Sequence, residues 1–298
     1  MSRSLVLLIC LGAVGCASTP AKRFDATVRR LAAPEMKGRA MGSVQLREAE
    51  SWLMDQFQQA GLKPYGRSQL QEVTTTLKKG GKVTSHNVVG AAGDGCRKSK
   101  SPVVIGAHLD HLGMFGDAPY PGADDNASGI AALLETAREI HDTLSDKGTN
   151  RGLVSQACFV FVAFTGEETG LHGSKAFFKA LSKARIRPSS MINLDMVGRL
   201  KNNELYIFGQ RSLGEDAALI ADLCKGARLK CLDGAIDTVM SDHLVFNAEK
   251  IPTLHFFTGA HADKHKASDT ADKIDSEGGA RVAWLAAQVA LATAKSVK

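Results

Sequence analysis

Histidines and carboxylates stand at five separated places in this chain. His108 and Asp110 form the first, Asp124-Asp125 the second and Glu167-Glu168 the third, followed by Asp195 and then by His261 and His265. Imidazole nitrogen and carboxylate oxygen are the donors that zinc takes in hydrolytic sites. Two such ions about 3.5–4 Å apart need a shared carboxylate, and a further free carboxylate can serve as general base. Glu167-Glu168 could divide between ligand and base. No cysteines show the CxxC spacing of a thiolate zinc site, and the Gly/Ser/Lys loop at 93–101 matches no phosphate-binding glycine pattern.

Four apolar runs, at 103–107, 157–165, 191–194 and 252–257, precede these clusters. Continuous apolar runs bounded by turns suit strands buried on both faces. Helical patterns at 128–140, 174–182, 214–227 and 276–294 are interspersed with them. That alternation predicts an α/β fold with a mostly parallel central sheet and helices on both faces. Ligands in such sheets bind beyond the carboxyl ends of the strands, so the four clusters that follow these runs converge on one edge. Upstream, Leu46, Ala49, Trp52, Leu53, Phe57 and Ala60 share one face of a helix at 45–60, stopped by Gly61. Strands are expected at 69–76 and 87–92, with a turn at 78–82. No repeat, low-complexity tract or linker divides the chain.

The N-terminus reads as separate from the fold. Arg3, an apolar stretch at 5–11 and small residues ending in Cys16 form a signal peptide over 1–15. The ending resembles a bacterial lipobox. Residues 16–23 are then expected to be a lipidated tether anchored at Cys16, and 24–298 a single domain. Export to a bacterial membrane surface (outer membrane, periplasmic or outward-facing) follows, with plain secretion as the alternative. Of the six cysteines, Cys158 lies in an apolar run and is expected to be a buried thiol. Cys224 and Cys231 can pair or stay free, and Cys96 has no assignment. The net charge of +6 has no dense Lys/Arg stripe interleaved with aromatics, so a nucleic-acid partner is not expected.

Five segments carry a resemblance. In order they are Gly106-Ala107-His108-Leu109-Asp110, Pro121-Gly122-Ala123-Asp124-Asp125-Asn126-Ala127-Ser128-Gly129, Thr165-Gly166-Glu167-Glu168-Thr169-Gly170, Asn193-Leu194-Asp195-Met196-Val197-Gly198 and His265-Lys266-Ala267-Ser268-Asp269-Thr270. Together they resemble the signature of the M28 family of co-catalytic zinc peptidases, without an inserted protease-associated domain.

The resemblance implies a zinc-aminopeptidase (phosphorylase/hydrolase-like) architecture holding two zinc ions. It implies that Asp124 bridges them, that His108 and Asp195 complete one site, and that Glu168 and His265 complete the other. Glu167 is the implied general base. Asp110 supports His108, and Asp125 follows the bridge across a cis peptide. Asp242, His243, Lys264 and His261 are candidates for the substrate pocket. Lys264 stands where many members have a Tyr, and Asp242 can instead cap the helix that His243 begins. His111 lies beside the ligands as a candidate for support or substrate contact, and Arg199 either reads a peptide terminus or makes a salt bridge.

The implied function is a two-zinc exopeptidase that removes N-terminal residues from peptides. A carboxypeptidase or dipeptidase of the same fold is one alternative. A lipid-anchored, non-catalytic binding protein is another; a retired site loses a ligand or its base, and here every position is filled.

Overall fold

The computed structural model describes residues 18–77, 81–146, 157–236 and 239–295. The four apolar runs form β4 (Val103–His108), β7 (Phe159–Phe164), β8 (Ser190–Leu194) and β11 (Thr253–Phe257). They lie side by side in the order β7-β4-β8-β11, all parallel. This is the centre of a nine-stranded sheet whose flanks join it through antiparallel pairs. On one side β3 (Gly81–Ala92) pairs with β7, β2 (Leu70–Leu77) and the short β1 (Lys63–Pro64). On the other, β9 (Glu204–Phe208) runs against β11 and carries β10 (Lys230–Gly234).

Period-two alternation divides the core into two layers. Phe159, Phe161 and Ala163 of β7 face one apolar cluster, whereas Val160, Val162 and Phe164 face the other. The first is covered by α1 (Pro20–Leu31), α2 (Val44–Gln59), α3 (Gly129–Ser145), α5 (Ala217–Gly226) and α7 (Ser276–Lys295). The second is covered by α4 (His172–Lys183) and the short α6 (His243–Ala248).

Helix α1 corrects the expected tether. Thr19 caps it by accepting the N–H of Lys22, and Pro20 occupies its first turn. Phe24, Val28 and Leu31 are buried one turn apart, so residues 20–23 belong to the domain. The signal peptide at 1–15 and Cys16 lie outside the described residues, as do residues 78–80 of the expected turn. Strands β9 and β10 were not expected from sequence.

One cysteine differs from expectation too. Cys158 is no free thiol: it pairs with Cys96 and ties the end of β3 to the start of β7. Cys224 and Cys231 also pair, joining α5 to β10. Among the described residues no helix is long and apolar enough to cross a membrane.

Candidate metal centre

The parallel strands deliver their ligating residues to one sheet edge. His108 closes β4, Glu167-Glu168 lie just beyond β7, and Asp195 follows β8. His261 and His265 lie on the long connection after β11. The aspartate pair Asp124-Asp125 sits in the turn that leads into α3.

That turn grips the segment after β8 with every second residue. Asp124 Oδ1 accepts the N–H of Gly198 at 2.8 Å. Asn126 Oδ1 accepts the N–H of Met196 at 3.1 Å, and its amide donates to the Leu194 carbonyl at 2.9 Å. Ser128 Oγ accepts the N–H of Val197 at 3.0 Å. Asp125, between these, faces the opposite way. Its Oδ1 lies 3.3 Å from His108 Nε2 and its Oδ2 lies 3.1 Å from His265 Nε2.

The expectation for Asp124 is therefore corrected. Its carboxylate holds Gly198 and contacts His261 Nε2 at 3.1 Å, while Asp125 stands between the two histidines. The cis peptide lies one residue later as well, at Asp125–Asn126. Gly122 lets the turn approach: its φ is +58°, and a Cβ there would lie 2.6 Å from the His111 ring.

Each half of the centre has a second carboxylate. Asp195 Oδ1 is 3.6 Å from His108 Nε2, and Glu168 Oε2 is 3.5 Å from His265 Nε2. Ligands at 2.0–2.1 Å around a tetrahedral zinc are separated by about 3.3 Å. Separations of 3.1–3.6 Å therefore match the edges of two coordination tetrahedra sharing Asp125. Asp195 Oδ1 is also buried without a hydrogen-bond partner. The donor set and its spacing fit two zinc ions.

The two halves differ in exposure. The His108 side chain is 1% exposed and that of His265 is 46% exposed. His111, whose role was left open, is buried, and its Nδ1 meets Glu168 Oε1 at 2.7 Å. Such a contact leaves Oε2 of the same carboxylate facing His265.

Asp110 meets His108 through its main chain. Its main-chain carbonyl, not its carboxylate, takes the His108 Nδ1 proton at 3.0 Å, which leaves Nε2 as the lone-pair nitrogen. Its Oδ1 accepts the N–H of Glu167 at 3.1 Å instead. Glu167 has a carboxylate oxygen within 4.8 Å of a His108 ring nitrogen and of a Glu168 oxygen. Burial, with the charges of Asp242, Asp195 and Glu168, pushes its carboxyl up to about 9 against the pull of His108.

Burial opposes a charge on His108, but Glu167, Asp195 and Asp125 outweigh it and hold the imidazole well above its ordinary value. Burial would raise Asp125, yet the hydrogen bonds from His108 and His265 bring it well below the usual carboxylate range.

The pocket candidates occupy different places. Asp242 makes no capping hydrogen bond and is fully buried. Burial pushes its carboxyl up to about 7. His243 is also fully buried; its Nε2 meets the Ile236 carbonyl at 3.0 Å, and its ring stacks on His255 with centroids 4.2 Å apart. His261 supports Asp124. Lys264 is half-buried, and its positive charge bears on His255 and His265.

Sequence reasoning missed Arg39. This fully buried guanidinium donates to the carbonyls of Leu31, Leu109, Pro121 and Gly122, stitching the His108 and Asp125 loops to α1. The Lys37-Gly38-Arg39 turn, with positive φ at all three residues, directs it inward.

Peptidase family M28 matches residues 87–290. Aminopeptidase YwaD of Bacillus subtilis (strain 168) is 32% identical over 200 residues, spanning 64% of this chain and 40% of that protein. A probable leucine aminopeptidase of Arthroderma otae is 32% identical over 184 residues, 60% of this chain and 50% of that one. The chain thus spans half or less of the length of these curated relatives. Among solved structures, the Legionella pneumophila LapA aminopeptidase superposes with a TM-score of 0.73 at 22% identity, covering 93% of this chain and 73% of that one. Fimbriiglobus ruber glutaminyl cyclase gives 0.71 at 21% identity, with 93% and 95% covered. At these identities the two structures speak for the fold alone. The family match runs from within β3 to within α7 and takes in every ligand position; the chain belongs to peptidase family M28.

Proposed function

We propose that this protein is a co-catalytic, two-zinc aminopeptidase. The observation that carries the reading is the Asp125 carboxylate, which offers one oxygen to the His108–Asp195 side and the other to the His265–Glu168 side. The names of the relatives, aminopeptidase and probable leucine aminopeptidase, support the substrate class.

Zinc, when bound, polarises a scissile carbonyl and acidifies a water. The chain's own residues supply the rest. Glu167, ionised where bound cations offset its carboxylate neighbours, would take a proton from the attacking water and return it to the leaving amine. Asp110 fixes the Glu167 backbone, and the Asp110 carbonyl fixes the His108 tautomer. His111 orients Glu168.

Two disulfides among the described residues suit an oxidising compartment. They support export, with the leader at 1–15 and a lipid anchor at Cys16 as the proposed route.

The test uses the chain without residues 1–16 and one peptide in free, acetylated and amidated forms, with and without chelator. Loss of chelator-sensitive cleavage on acetylation alone supports the aminopeptidase. Loss on amidation alone moves the reading to a carboxypeptidase. No cleavage in a zinc-loaded sample sinks the peptidase reading and directs attention to cyclase chemistry or a binding role.

A further inference from the structure

Arg199 follows Asp195 by four residues, and Asp269 follows His265 by four. The two side chains meet: Arg199 Nη2 donates to Asp269 Oδ1 at 2.9 Å. The other terminal nitrogen, Nη1, donates to Asp263 Oδ2 at 2.8 Å. Asp269 is fully buried and spends its remaining acceptors on the turn that carries Asp125. Its Oδ2 accepts the N–H of Asp124 at 3.0 Å and of Asp125 at 3.1 Å. Its main-chain carbonyl accepts the N–H of Ala123 at 3.2 Å. Three successive donors of that turn thus end on one residue.

We infer that Arg199 and Asp269 form a positioning pair that sets the Asp125 carboxylate between the two metal sites. The inference rests on the two-zinc reading above. Three segments carry the ligands Asp195, Asp125 and His265. The pair joins them: Arg199 extends from the Asp195 loop, Asp269 from the His265 loop, and the Asp269 carboxylate holds the Asp125 backbone. A buried carboxylate with two backbone donors and a guanidinium has a defined orientation, because each oxygen has its own partners. The pair therefore acts with the turn's own bonds to 194–198 to fix its angle, and Asp125 takes its angle from the turn. Arg199 is thereby a positioning residue, with both terminal nitrogens engaged on aspartates.

The chemistry of an amide gives a discriminating test. In Asp269→Asn, the oxygen can accept both backbone donors only if the NH2 faces the Arg199 guanidinium, and a flipped amide faces the backbone donors instead. Either arrangement opposes donors. Adding Arg199→Met removes the guanidinium and lets the amide satisfy the turn.

Zinc affinity of the intact soluble chain is measured by competition with a chromophoric chelator for wild type, D269N, R199M and D269N/R199M. Melting temperatures are taken in excess chelator. Loss of a partner behind a metal ligand costs about 10- to 100-fold in metal affinity; D269N is expected to lose that much, and the double variant to bind zinc more tightly than D269N. A purely structural pair predicts the reverse order, with the double variant worst. Should D269N not fold, R199M alone must weaken zinc binding relative to wild type. Wild-type affinity in D269N, or a double variant no better than D269N, overturns the positioning role while leaving the two-zinc reading intact. A wild-type chain that takes up no zinc overturns both.

Discussion

The Asp110 carboxylate holds Glu167 by its backbone, with Oδ1 accepting the Glu167 N–H at 3.1 Å. The proposed base is thus oriented through its main chain, and its own carboxylate stays free. Glu167→Gln should lower kcat by about 10²–10⁴-fold, with zinc content unchanged. Asp110→Ala should lower kcat less and leave KM close to wild type. Steady-state kinetics with metal analysis checks both; zinc loss in E167Q would make Glu167 a ligand instead.

Parity in the 124–128 turn separates two adjacent aspartates. Asp125→Asn should abolish binding of both zinc equivalents, because each side depends on one of its oxygens. Asp124→Asn should retain zinc yet destabilise the fold by about 1–3 kcal/mol, the cost of disturbing a buried acceptor that holds Gly198. Metal content and urea denaturation distinguish them. The opposite pattern restores Asp124 as the shared residue.

Metal-free protein should lose stability from pH 7 to pH 9. Glu167, pushed up to about 9, and His108, held well above its ordinary value, bind protons more tightly folded than unfolded. Their stabilisation is present at low pH and lost as pH rises through their folded values. Burial pushes His255 down to about 3, which acts with the opposite sign, but only below an ordinary histidine value of about 6.5. Melting temperatures in chelator at pH 7, 8 and 9 should fall, and zinc should flatten the trend by replacing the protons. A chelated sample as stable at pH 9 as at pH 7 removes the basis for this account.

The two disulfides should contribute unequally. Cys96–Cys158 closes a separation of 62 residues and Cys224–Cys231 one of 7. Loop-closure entropy gives roughly 4 and 2 kcal/mol respectively. Urea midpoints of the C96A/C158A and C224A/C231A chains test the order, and equal losses contradict it.

Much of this was legible in the sequence. Apolar runs ending in His, Glu and Asp gave the four parallel strands and the edge where their ligands gather. The misses have physical causes. Asp124-Asp125 carries no periodic signal, because the parity of a π-type turn is set by contacts to 194–198, over 65 residues away. The first four residues of helix α1 read as tether because they follow the lipobox-like ending at Cys16, although the helix they begin buries Phe24, Val28 and Leu31 on one face. The Cys96–Cys158 pair joins the ends of two strands that are neighbours only in the folded sheet. Asp269 was quoted as part of a motif, but its partners are two backbone groups and an arginine 70 residues away, with no sequence signature.

The unequal exposure of His108 and His265 implies a sequence of events. A rim imidazole has water competing for its nitrogen, whereas an enclosed one has only its buried carboxylate neighbours. On the proposed reading, the enclosed half should fill first and empty last. Brief dialysis against a mild chelator should then yield a population with one zinc per chain, not a mixture of full and empty molecules. Such a half-loaded state would let the contribution of each ion be measured in an unmutated protein.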